Sequence, residues 1–153
     1  MVNSKKAGRY ERVIAQLEGL LSKPGDIHSR MATISSVLHH KMDGFFWTGF
    51  YFLNNGELIV RLYQGPVACQ LLKKDIGVCW AGINQNKTIV VANVHDFPDH
   101  IACDSRSQSE IVVPVCDKSG EIVGVLDIDS KELNTFDETD RRYLEKIVAM
   151  IYA

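Results

Sequence analysis

No stretch of this 153-residue chain is long and apolar enough to cross a bilayer. The longest apolar run, Phe45 to Leu53, is interrupted by Thr48 and Gly49, and a spanning helix needs about 20 apolar residues. No apolar segment follows the charged start from Met1 to Arg9, so the pattern of a secretory leader is missing. An excess of one charge is missing too: 17 basic against 19 acidic residues leave −2, and the bases are too scattered to track nucleic acid. There is no phosphate-binding glycine loop, no C-x-x-C and no H-E-x-x-H. His95, His100 and Cys103 lack a clear fourth ligand, which argues against structural zinc. These absences exclude membrane and nucleic-acid partners and lead us to expect a cytoplasmic protein with no metal and no cofactor.

Cysteine is what the chain does have. In a reducing compartment four cysteines make a poor disulfide framework and point to catalytic, metal-binding or silent roles. Cys103 lies in the loop Phe97-Pro98-Asp99-His100-Ile101-Ala102-Cys103-Asp104-Ser105, whereas an inert cysteine usually sits on an apolar face. Cys69 and Cys79 also occupy polar or glycine-containing segments, while Cys116, in an apolar strand, reads as silent.

At this length the chain fits one domain, 1–153. Helical spacing predicts a first helix over Tyr10 to Ser22, stopped by Pro24-Gly25, and a second capped by Asp26 with Ile27, Met31, Ile34 and Leu38 on one face. An aromatic strand, Phe45 to Leu53, turns at Asn54-Asn55-Gly56 into a partner from Glu57 to Tyr63. The segment Gln64 to Lys87 holds Cys69, Cys79 and a helix near Val78 to Gln85. Thr88 to Val94 reads as a strand, followed by a loop from His95 to Ser109. A second hairpin pairs Glu110 to Cys116 with Glu121 to Asp129, and Asp137 caps a last helix. The order predicts an α+β fold: an antiparallel sheet with helices on one face and long loops covering the other.

Strand alternation places Val123, Val125, Asp127 and Asp129 on one face, opposite Ile122, Leu126 and Ile128. If helices cover the Ile/Leu face, both aspartates project under the loops, with Glu110 close by on the paired strand. A solvated strand end is the plainer account of such carboxylates. Beside a thiol, however, a protonated acid donates to a leaving oxygen and an ionised one holds an ammonium. Negative charge also raises a thiol pKa, so His100, Arg106 or backbone amides must offset it. Trp47 and Tyr51 share a face with Phe45 and Leu53, as core packing or as the wall of a small apolar pocket.

Trp47-Thr48-Gly49-Phe50-Tyr51, Gly65-Pro66-Val67-Ala68-Cys69, Gly77-Val78-Cys79, His100-Ile101-Ala102-Cys103-Asp104-Ser105 and Ser109-Glu110-Ile111-Val112-Val113-Pro114 together resemble the free methionine-(R)-sulfoxide reductases, a stand-alone GAF-domain family. The resemblance runs from about the second helix to the last strand. It implies a GAF-like fold with residues 1–25 as an N-terminal helical extension. It also implies a reductase that turns free methionine (R)-sulfoxide into methionine, with thioredoxin as the reductant. By the same resemblance Cys103 is the nucleophile, Cys69 its resolving partner and Cys79 an auxiliary or alternative resolving thiol. Glu110, Asp127 and Asp129 then surround the sulfoxide and amino group, and Trp47 and Tyr51 the methyl end. Trp80 and Asp99 depart from the family's small residues at those positions. The N-terminal helix leaves a homodimer open. From another class, a non-catalytic small-molecule module, for a cyclic nucleotide for instance, or a thiol redox sensor would use the same fold.

Overall fold

The computed structural model describes residues 3–100 and 103–153. Met1, Val2 and two members of the loop motif, Ile101 and Ala102, lie outside the described residues. Helix α1 (Ser4–Leu21) starts before the expected Tyr10 because the Asn3 side chain accepts from the backbone N–H of Lys6 and caps it. Helix α2 (Ile27–Lys41) opens on a capping box between Asp26 and Ser29, and α4 (Glu138–Val148) on one between Asp137 and Asp140.

Six strands form one sheet: β1 (Trp47–Asn54), β2 (Glu57–Gln64), β3 (Leu71–Leu72), β4 (Ile89–Val91), β5 (Ser109–Cys116) and β6 (Ile122–Ser130), with the short helix α3 (Val78–Gln85) between β3 and β4. Their order is β3-β2-β1-β6-β5-β4, and every neighbouring pair is antiparallel. The β1–β2 hairpin closes through Asn55 (φ 53°) and Gly56 (φ 80°), the left-handed pair that matches strand twist. The expected strand to Val94 is shorter, because Asn93 caps a 3-10 turn over Val94–Asp96.

The sheet separates two apolar layers. On one face α1, α2 and α4 cover Phe50, Phe52, Ile111, Val113, Leu126 and Ile128. On the other, α3 and the connecting segments cover Trp47, Tyr51, Leu58, Val112 and Val125. Two residues depart from the faces that alternation predicts for β1 and β6. Val123 packs on the helix side because the register steps from Val115↔Gly124 to Cys116↔Ile122, making it the extra residue of a bulge. Phe45 precedes β1 and turns to the helix side, 5.7 Å from the Phe136 ring. Helix α1 is clamped to α4: Lys6 Nζ pairs with Asp140 at 2.6 Å and Asp137 at 3.3 Å, and the buried Tyr10 hydroxyl donates to Asp140. Burial, and then the Asp140 charge, push the Tyr10 pKa well up, so it remains a donor. No described helix is long and apolar enough to cross a membrane.

Candidate active site

Register brings the carboxylates together. Glu110 and Asp129 are cross-strand partners, with Val91 beyond Glu110 and Trp47 beyond Asp129, so four strands contribute to one rung. On the next rung Asp127 lies between Val112 and Gly49, diagonal to Glu110. A side chain at Gly49 would collide with the Tyr63 Cβ and the Trp47 ring. Its absence lets Trp47 stack on Tyr63 at 5.1 Å and Tyr51 at 5.8 Å. Glu110, Asp127, Asp129, Trp47, Tyr51, Cys79 and Cys103 all line one cleft on the loop side of the sheet.

Burial decides the protonation of this cluster. Glu110 and Asp127 are each 6% exposed, and a buried carboxylate charge is costly unless paired. Burial pushes Glu110 well above the usual carboxylate range, and the Asp127 and Asp129 charges push it further. Asp129 rises for the same reasons, burial first and then Asp127. Asp127 is also raised by burial, tempered by contacts with Glu110 and the Cys79 thiol. Its Oδ1 nonetheless has no hydrogen-bond partner. His100 Nε2 is 3.9 Å from Glu110 Oε1, yet burial and then His95 lower the His100 pKa, so it adds little positive charge.

Cys69 and Cys103 are joined by a disulfide with Cα atoms 5.6 Å apart, within the usual range for such bonds. Cys103 is exposed and Cys69 half-buried. The two aromatic side chains hold the Cys69 segment against the sheet: Trp47 Nε1 donates to the Pro66 carbonyl at 3.1 Å, and the Tyr51 hydroxyl to the Cys69 carbonyl at 2.9 Å. Burial, then Asp127, keep that hydroxyl protonated. Cys79 and Cys116 are free. Burial first, and then Asp127 and Glu110, push the Cys79 thiol well up, so it rests as a thiol rather than a thiolate. Cys116 is exposed at the end of β5, away from the cleft.

Arg106, one candidate to offset the carboxylates, is committed elsewhere. It forks onto Asp104 at 2.9 and 2.7 Å and lies 4.8 Å over the Phe46 ring. The Asp104 carboxyl falls to about 2 through its hydrogen bonds with Arg106. Trp80 is buried and donates to the Leu72 carbonyl at 3.4 Å, and Asp99 takes a left-handed φ of 56° where the loop turns. His95, His100 and Cys103 form no metal set, since Cys103 is in the disulfide. Among the described residues, the donor atoms that converge belong to Cys79, Glu110 and Asp127, all within 4.8 Å of one another.

Among the described residues that line the cleft there is no lysine or arginine to receive an anion. In the cleft lining stand Gly77, Val78 and Cys79, the start of α3. Gly77 (φ 90°) is its N-cap and supplies no side-chain hydrogen bond, leaving the first-turn N–H groups available to an anion. Glycine where Ser, Thr or Asp would normally cap is the one signal the sequence held for this.

The GAF domain family matches residues 27–151. GAF domain-containing protein A of Dictyostelium discoideum is 43% identical over 147 residues, covering 95% of this chain and 92% of that protein. The free methionine-R-sulfoxide reductase of Saccharomyces cerevisiae is 34% identical over 97% of this chain and 87% of its own. The Neisseria meningitidis free methionine-R-sulfoxide reductase, solved in complex with its substrate, superposes with a TM-score of 0.90 at 40% identity, covering 96% of this chain and 88% of that one.

Proposed function

Since the chain belongs to the GAF-domain family and, within it, to the free methionine-R-sulfoxide reductases, we propose that it reduces the (R)-epimer of free methionine sulfoxide through a cycle run on Cys103 and Cys69. The observation that carries this reading is a disulfide at the mouth of a cleft lined by Glu110, Asp127 and Asp129, the first two of them buried. The Cys103 thiolate attacks the sulfoxide sulfur while a carboxylic acid protonates its oxygen. Methionine leaves, and the oxygen remains on Cys103 as a sulfenic acid. The Cys69 thiol displaces it as water and closes the disulfide, which an external dithiol, thioredoxin, returns to two thiols.

Burial removes the conflict between thiolate and carboxylates. With their pKa values raised by burial, Glu110 and Asp129 keep a proton more readily than exposed carboxyl groups, which lessens the charge facing the thiolate and supplies the proton the leaving oxygen needs. We assign the proton to Glu110, which both aspartates push upward. The unpartnered Oδ1 of Asp127 receives the substrate ammonium, and the open first turn of α3 its carboxylate. A cleft that takes both charged ends of an amino acid rejects methionine within a peptide. Trp47 and Tyr51 wall the methyl end, and Cys79 is an auxiliary thiol beneath them. Residues 1–153 act as one GAF domain with 1–25 as its helical extension, in the cytoplasm. A homodimer through that extension is an added expectation.

Reduced protein mixed with racemic free methionine sulfoxide tests this directly. We expect two thiols lost per chain, one methionine formed and only the R epimer consumed. No methionine, with the disulfide forming only under peroxide, would replace the enzyme with a redox sensor; tight nucleotide binding instead would make it a ligand module. Cys69→Ser keeps the first turnover and loses thioredoxin-driven cycling. An unchanged steady state would move the resolving role to Cys79.

A further inference from the structure

The proposed cycle uses Cys103, Cys69 and the carboxyl groups but asks no chemistry of Cys79, a thiol only 5% exposed beside them. We infer that Cys79, Glu110 and Asp127 form a binding site for one divalent cation of the zinc class, which occupies the cleft floor in place of the substrate ammonium and so inhibits the enzyme. The inference rests on the reading that Asp127 holds the cationic end of the substrate.

Three observations lead to it. The Cys79 sulfur and one oxygen each from Glu110 and Asp127 lie within 4.8 Å of one another, and they come from α3, β5 and β6, three elements packed together. Zinc–sulfur and zinc–oxygen bonds of about 2.3 and 2.0 Å put tetrahedral ligands about 3.3–3.5 Å apart, a contraction within reach of side-chain rotation. Next, Asp127, a cleft-lining residue, is 6% exposed, and its buried Oδ1 has no hydrogen-bond partner. An orphaned buried carboxylate oxygen is stabilised by a cation, as by any donor. Last, the donors themselves select. One thiolate with two carboxylates suits zinc or cadmium, whereas magnesium and calcium require six or more oxygens. Three protein ligands leave a fourth position for water. The ion binds by displacing two protons into solvent, one from the Cys79 thiol and one from the Glu110 carboxyl, with no change of redox state. The disulfide form keeps the whole donor set, because neither Cys69 nor Cys103 belongs to it.

Full-length protein in its disulfide form, titrated with zinc by calorimetry and with cadmium by ultraviolet absorption, tests the inference without any turnover. We expect one equivalent bound and a cadmium–thiolate band that disappears in Cys79→Ser and persists in Cys116→Ser. Asp127→Asn weakens binding at least tenfold, and added methionine competes. In steady state zinc raises KM for free methionine sulfoxide without lowering kcat, and chelator reverses it. If Cys79→Ser does not fold, as judged by circular dichroism, the isosteric Asp127→Asn and Glu110→Gln decide the matter. No saturable binding, a band that follows Cys116, or binding unchanged in all three cleft variants would overturn the inference. Failure of the methionine-release assay with the titration intact would sink the reductase and leave the cation site standing.

Discussion

Asp127, Ile128 and Asp129 are consecutive residues of one strand, yet they belong to two different environments. Ile128 points into the helix-side layer, fully buried among apolar neighbours, where each contact lowers the free energy of folding. Its two neighbours point to the loop side, where carboxyl groups are buried with a partnerless oxygen and a thiol. The helix face is built for stability. The loop face carries groups that cost stability and are poised for chemistry, the trade expected of a reactive site. The difference lies not in the strand but in what covers each side of it.

Substitutions that touch one face at a time sharpen this contrast. Cys103→Ser has the largest expected effect: methionine release is lost outright. In reductant its melting temperature matches the parent, whereas in oxidising buffer it lacks the roughly 4 kcal/mol a cross-link of this span contributes. Retained turnover would place the nucleophile elsewhere. Glu110→Gln lowers kcat by roughly 10²–10⁴, the worth of a positioned general acid, and raises the melting temperature at neutral pH. Because the folded pKa of Glu110 is raised, its native state holds a proton that the unfolded chain releases near pH 4. The stability from that proton is full below this pH and is lost as pH rises through the raised folded value. Thermal melts from acid to neutral pH should show this decline in the parent and a flatter profile in Glu110→Gln. A destabilised variant with the parent's slope would mean that Glu110 is ionised when folded.

Ile128→Ala tests the other face and should invert the pattern. Chemical denaturation should show a loss of about 2–5 kcal/mol, the usual cost of such a truncation in a core, with KM for the sulfoxide near the parent value. A KM shift larger than the stability loss would show that the two faces are coupled through the strand. Cys116→Ser, an exposed thiol remote from the cleft, should change stability by less than about 0.5 kcal/mol and leave turnover unchanged.

Much of this contrast is legible from residues close in sequence. Period-two alternation separates Leu126 and Ile128 from Asp127 and Asp129. The Asp26 and Asp137 caps start their helices, and the Asn-Gly turn closes the first hairpin. Alternation misplaces Val123 because a bulge is set by pairing with β5, which no local pattern records. Spacing alone says nothing of Cys69 meeting Cys103; only resemblance suggested it. The burial of Cys79 against Asp127 and the diversion of Arg106 to Asp104 were not visible at all, and Gly77 was the one sign of the open first turn of α3.

By itself the sequence determined which face of its strand each acid occupies and where the helices are capped, because side-chain direction and helix caps depend on neighbours a few positions away. Only the tertiary structure decided that burial raises the pKa values of these acids, that it raises the Cys79 thiol beside them and that Asp127 lines the cleft with an oxygen unmatched. Desolvation and charge coupling act through space, and they arise only once α3, β5 and β6 have closed around the same few ångströms.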